Sequence, residues 1–139
     1  MSAPLIRSCR VDEVAAVLRV WSLAGAHPTA TDTPAALQRL LSHEPDALIV
    51  AESDGQLIGT LIAAWDGWRG SFHRLAVLPQ HRREGVARRL LSEGARRLRA
   101  RGATRLTAIV VADDVAAMAF WRSEGYEEQA RRARFVTNR

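Results

Sequence analysis

The chain has 139 residues, 47% apolar and 25% charged, a composition that suits one folded domain spanning 1–139 and excludes a disordered chain. No apolar run reaches the roughly 18 residues of a membrane span, and Met1-Ser2-Ala3-Pro4 lacks the layout of a secretory signal, so a cytoplasmic protein is expected. A single cysteine, Cys9, excludes an internal disulfide and a cysteine metal cluster.

The formal net charge is +5, and every basic residue is arginine. Residues 69–105 hold 11 arginines against Glu84 and Glu93, a local balance of +9, whereas the remainder is at −4. Such concentration suits an anionic partner such as a phosphate-bearing cofactor; a solvated helix face is the plainer alternative.

In chain order, residues 5–10 read as a short strand. Asp12 is a candidate cap for a helix with Val14, Val17, Leu18 and Trp21 on its apolar stripe. Gly25-Ala26-His27-Pro28 ends it, and Thr33-Pro34 opens a second helix buried through Leu37, Leu40 and Leu41. Residues 47–51, 57–65 and 71–78 read as three consecutive antiparallel strands, joined first at Asp54-Gly55 and then at Asp66-Gly67-Trp68-Arg69-Gly70. A long amphipathic helix is expected over 85–101, then a strand over 106–111, making a parallel crossover. Asp113 or Asp114 caps a last helix ending at Gly125. Two short final strands are expected within 126–138. The fold class is α/β, a sandwich around a mixed sheet.

The chemistry concentrates where the strand ends and the long helix begins, in Leu75-Ala76-Val77-Leu78-Pro79-Gln80-His81-Arg82-Arg83-Glu84-Gly85-Val86-Ala87-Arg88. The first turn of a helix carries amides without helical partners and the positive end of the dipole, so it can hold phosphate. Gly85 and the small Ala87 allow close approach, and arginines at 82, 83, 88 and 89 would add charge. Gly85 as an ordinary loop glycine is the alternative. Neither a P-loop nor a dinucleotide fingerprint is present.

Leu75-Ala76-Val77-x-Pro79 with Arg82-Arg83-Glu84-Gly85-Val86-Ala87 resembles the acetyl-CoA signature of the GCN5-related N-acetyltransferase (GNAT) superfamily. Val50-Ala51-Glu52-x-x-Gly55-x-x-x-Gly59 is similar to that family's second and third strands. Trp121-Arg122-Ser123-Glu124-Gly125-Tyr126 is similar to its late helix and following strand. The Asp66–Gly70 turn resembles small bacterial members. The resemblance implies a three-layer sandwich with a mainly antiparallel sheet of six to seven strands and about four helices. It implies that the backbone of Leu75, Ala76 and Val77 pairs with the pantetheine arm of acetyl-CoA. The amides of Arg83, Glu84, Gly85, Val86, Ala87 and Arg88, beside Arg82, would hold the pyrophosphate. Asp114 and Trp121 would also face the cofactor. An amine, on a small molecule or a protein, would attack the thioester directly in a ternary complex. No metal, nucleic acid or membrane is called for, and a homodimer is compatible with this reading.

Two positions depart from the family pattern. Trp121 stands where many members have the tyrosine that protonates the leaving thiolate, and indole is no practical acid. Tyr126, the only tyrosine, is the remaining phenolic acid, or else a packed aromatic. Ser71 stands where some members carry a basic glutamate, and His73, two residues on along the same strand face, is the candidate base. Water-relayed proton removal by Glu52 or Asp66 is the other route. Trp121 also leaves room for an acyl-CoA-binding module of weak activity. Specificity is expected in residues 27–32, 65–69 and 131–134, with Trp65 and Trp68 either lining the acceptor cleft or packing. Cys9 is read as packing.

Overall fold

Branched and apolar runs make the sheet, and residues spaced by three and four make the helices that cover it. The computed structural model describes residues 3–139; Met1 and Ser2, half of the tetrapeptide read above for a signal, lie outside them. Among the described residues five strands form, β1 (Leu5–Ser8), β2 (Leu48–Ser53), β3 (Gln56–Trp65), β4 (Gly70–Val77) and β5 (Leu106–Ala108). They lie in that order in one sheet, antiparallel up to β4, with β4 and β5 parallel. The helices are α1 (Val14–Leu23), α2 (Pro34–His43), α3 (Val86–Ala100) and α4 (Val115–Ser123). The α/β class, the mixed sheet and the four helices among the described residues are as expected, but the sheet has five strands, not six to seven.

The missing strands were expected in residues 126–138, where no strand forms. The reason is compositional: Arg131, Arg132 and Arg134 interrupt the segment, and no Asn-Gly or Asp-Gly turn divides it. β5 also stops at Ala108 rather than 111, and its ladder uses only Gly70, Ser71 and Phe72 of β4. A bulge begins in β4 two residues later, where Arg74 has φ +54°.

Neighbouring residues of β3 face opposite layers. Thr60 receives the indole N–H of Trp21 from α1, while a Cβ added to Gly59 would meet Leu90 and Val86 of α3. So α1 and α3 cover opposite faces, and the sheet is the middle layer. Val86, Leu90, Leu91, Ala95 and Leu98 are buried from α3; Val17, Val20 and Trp21 are buried from α1.

Helix ends follow local chemistry, with one correction. Thr33 caps α2 through its hydroxyl on the Ala36 amide at 3.1 Å. Asp12 does not cap α1; it lies inside a 3-10 turn, Val11–Glu13. The Arg10 amide donates instead to Glu13 Oε1 at 2.9 Å, because Arg7 draws the Glu13 carboxylate back over the turn. After α1, Ala26 N–H donates to the Trp21 carbonyl and Gly25 N–H to Ser22, a Schellman close.

The chain divides into a larger compact unit ending at Ala108 and a smaller one, Ile109–Arg139. In the smaller unit Asp114 caps α4 through the Ala117 amide at 3.0 Å. Its end is again a Schellman close, with Tyr126 N–H on the Trp121 carbonyl and Gly125 N–H on Arg122.

Candidate active site

β4 runs into Leu78, whose amide donates to the Ile58 carbonyl at 2.8 Å. A 3-10 turn (Pro79–His81) and residues 82–85 follow, then α3. Two backbone positions in this short loop have positive φ, Arg83 at 65° and Gly85 at 80°. Gly85 is the N-cap of α3 and has no side chain to cap the first-turn amides of Val86, Ala87 and Arg88. A Cβ at Gly85 would meet nothing within 4 Å, so the space before the helix is open. An uncapped helix start with an open approach suits an anion, so these residues fit a diphosphate.

The loop arginines divide by role. Arg82 turns away from the helix start: Nη2 donates to the Ala24 carbonyl at the end of α1 at 3.0 Å, and Nε to the Val77 carbonyl at 3.3 Å. Arg89 donates to the Pro4 carbonyl. Arg83 and Arg88 are exposed, and His81 Nδ1 lies 3.1 Å from Glu84 Oε1. The charge expected from all four arginines is thus partly engaged in fastening the loop to its surroundings.

On the strand side, Ala76 is buried, and Leu75 and Val77 are half-buried. β3 pairs with β4 through Gly59–Val77 and Thr60–Ala76, then shifts register before Ile62–His73. The bulge is pinned from below. Thr60 Oγ1, fully buried, receives Trp21 Nε1 at 2.8 Å and donates to the Arg74 carbonyl at 2.9 Å. The Arg74 guanidinium lies over the Trp21 ring, 5.2 Å from its centroid, and donates to the His27 carbonyl and to Asp32 Oδ2. Arg74 escaped the sequence reading. The available signal was weak: an arginine between His73 and Leu75 inside a strand.

His73 is exposed on the α1 face, with Nε2 3.0 Å from Ser71 Oγ, so the expected pairing on one strand face is present. The other two candidate bases hold structure. Glu52 accepts from Arg7 Nη2 at 2.7 Å, and the same guanidinium reaches Glu13 at 2.6 Å. The Arg7 hydrogen bond, outweighing desolvation, lowers the Glu13 carboxyl below its ordinary range. Asp66 accepts the Trp68 and Arg69 amides at 2.7 and 2.6 Å, which lowers its carboxyl too.

The two tryptophans expected near the acceptor separate. Trp65 shares a face with Leu61 and Ala63, opposite His73, and lines a cleft of about 350 Å³ with Arg97 and Arg101. It therefore does not line a cleft on the His73 face. Trp68 is exposed, with Arg69 stacked 3.9 Å from its ring centroid. Cys9 is buried, and burial pushes its thiol up to about 11, which suits packing rather than attack.

In the smaller unit, Tyr126 packs edge-on against Trp121, ring centroids 5.0 Å apart, completing the helix close after α4. Asp114 is the cap already described. Among the described residues, no cluster of three or more His, Cys, Asp or Glu could hold a metal ion, and no helix is long and apolar enough to cross a membrane.

An open helix start fed by a bulged strand, on a mixed sheet between two helical layers, defines the class. The profile of the Acetyltransferase (GNAT) family matches residues 15–126, and this chain belongs to that family. An acetyltransferase of Photorhabdus laumondii is 31% identical over 124 residues, covering 89% of this chain and 87% of that protein. In fold, the chain is similar to Ard1 from Thermoplasma volcanium, with a TM-score of 0.80 at 20% identity over 89% and 82% of the two chains. It is also similar to the aminoglycoside N-acetyltransferase AAC(6')-Iy, solved in complex with a CoA bisubstrate analogue. There the TM-score is 0.77 at 21% identity over 99% of each chain.

Proposed function

We propose that the protein transfers an acetyl group from acetyl-CoA to a primary amine, by direct attack within a ternary complex. When bound, acetyl-CoA supplies an activated acetyl thioester. The observation that carries the reading is the uncapped start of α3 at Gly85, reached by the short loop that follows β4 once that strand has left its parallel ladder at Phe72. The first-turn amides of Val86, Ala87 and Arg88, with the loop amides of Arg83, Glu84 and Gly85, hold the pyrophosphate. Past Phe72, the β4 edge at Leu75, Ala76 and Val77 offers backbone groups to the pantetheine arm, whose amides need such partners. Family membership and the CoA ligand of the structurally similar aminoglycoside enzyme support this choice of donor.

In this mechanism His73 takes a proton from the substrate ammonium, directly or through water, which frees the amine lone pair to attack the thioester carbonyl, with Ser71 fixing the ring orientation. Glu52 and Asp66 are unsuited to that role, because each is committed to other donors and Asp66 is also held as the weaker base. Tyr126 is assigned as the acid for the departing thiolate, as the only phenol in the chain. Asp114 and Trp121 are assigned to the cofactor by family resemblance. The acceptor, small molecule or protein, meets the His73 face of the sheet.

The test is a steady-state assay of CoA release from acetyl-CoA against a panel of small amines and peptide N-termini. Amine-dependent CoA release supports transfer. Tight acetyl-CoA binding without release would favour the alternative, a binding module with Trp121 in the acid's position.

A further inference from the structure

We propose that Arg74 and Asp32 form a latch that couples the segment between α1 and α2 to the strand and loop that take the cofactor. The inference rests on the donor site proposed above. Arg74 is a positioning residue here, acting through the segment that it holds.

Arg74 is tied at both ends. Its carbonyl is fixed by Thr60, and Thr60 in turn by Trp21, so the bulge cannot shift without disturbing α1. Its side chain crosses the Trp21 ring and ends on two points of the segment, the His27 carbonyl at 3.0 Å and Asp32. Both partners of the ion pair are shielded, with 21% and 14% of their side chains exposed. A shielded pair is screened less by salt than a surface pair, and breaking it leaves a charge uncompensated.

Asp32 also organises its own turn. It accepts the Thr29 amide through Oδ2 and the Thr29 hydroxyl through Oδ1, each at 3.1 Å. One carboxylate therefore shapes the turn and delivers it to Arg74. The other end of the segment is held by Arg82, on the Ala24 carbonyl. The segment is thus fastened twice, once from the strand that leads to Leu75, Ala76 and Val77, and once from the diphosphate loop. A ligand that pins that strand and loop removes freedom from the segment as well.

The experiment is amide hydrogen exchange on the full chain with and without coenzyme A, for wild type, Asp32→Asn and Arg74→Lys. In the wild type, coenzyme A is expected to protect residues 83–88 and also residues 27–32. In either variant, protection of 83–88 should persist while the added protection of 27–32 is lost. Two results overturn the latch: protection of 83–88 without any change at 27–32 in the wild type, or coupling that survives in both variants. Absence of protection at 83–88 would instead remove the donor site itself, and the latch with it. Should Asp32→Asn fail to fold, Arg74→Lys gives the same readout with the positive charge kept and the second contact removed.

Discussion

Trp21 Nε1 donates to Thr60 Oγ1 at 2.8 Å, and that same hydroxyl donates to the carbonyl of Arg74 at 2.9 Å. A helix, a central strand and a strand bulge are joined by one fully buried side chain. Thr60→Val keeps the shape and removes both hydrogen bonds, leaving the indole N–H unpaired. A loss of about 1–3 kcal/mol is expected. Urea unfolding should show it, and Thr60→Ser, which keeps the hydroxyl, should lose less.

Gly94 allows α3 to lie close on the sheet. A Cβ there would sit 2.8 Å from Leu61 Cδ2 and 3.0 Å from Phe72 Cε1, both on buried side chains. Gly94→Ala gains about 1 kcal/mol of helix propensity. Overpacking costs about 1–3 kcal/mol, so a net lowering of the thermal midpoint is expected. An unchanged or raised midpoint would show that α3 can lift from the sheet cheaply.

Gly85 separates binding from folding. Its φ of 80° strains any other residue, but a Cβ meets nothing within 4 Å. Gly85→Glu should therefore fold, since a carboxylate also favours a helix N-terminus. Its charge opposes a diphosphate, and coenzyme A affinity should fall at least about tenfold, or about 1.4 kcal/mol. Calorimetric titration beside a thermal melt separates the two effects.

Acid sensitivity should trace to Glu93. The Arg96 hydrogen bond, aided by Arg97, lowers its carboxyl from 4.5 to about 2. A depressed carboxyl contributes its stability above the unfolded value and loses it as protons are added. That contribution is complete above about pH 4.5 and declines towards pH 2. In Glu93→Gln, stability should fall less steeply across this window, as read from urea midpoints at several pH values.

His73 should shape the pH–rate profile of acetyl transfer. An imidazole base gives a rate that rises through its titration near neutrality. His73→Gln should remove that rise and lower kcat/KM, and Ser71→Ala should shift it. A wild-type profile without the rise would remove His73 from the role. Tyr126→Phe addresses the acid in the same way on the alkaline side.

Much of the site's frame was legible in the chain. Thr33-Pro34, Gly25, Asp114 and Gly125 end or begin helices by chemistry confined to a few neighbours, and each stands where local rules put it. The run from Leu75 to Arg88 declared a strand, a loop and a helix start, because a glycine without a side chain beside an amphipathic helix is a local pattern. Asp12 failed as a cap because a residue outside the window, Arg7, organised Glu13 over the turn. Arg82 was counted as free charge, yet the end of α1 claims it, 58 residues away in sequence. The side of the sheet that Trp65 occupies was equally hidden, since face assignment depends on which neighbour each strand pairs with.

The sequence by itself determined the order of elements as far as the last helix, the parallel crossover and the family, because periodicity, turn residues and caps act over a few positions. Only the tertiary structure decided that Arg74 joins β4 to Asp32, that Glu52 belongs to Arg7, and that the sheet of the described residues stops at five strands. The physical reason is that ion pairs, bulges and ladder ends depend on side chains brought together from distant parts of the chain. Their energies are not written in any local window.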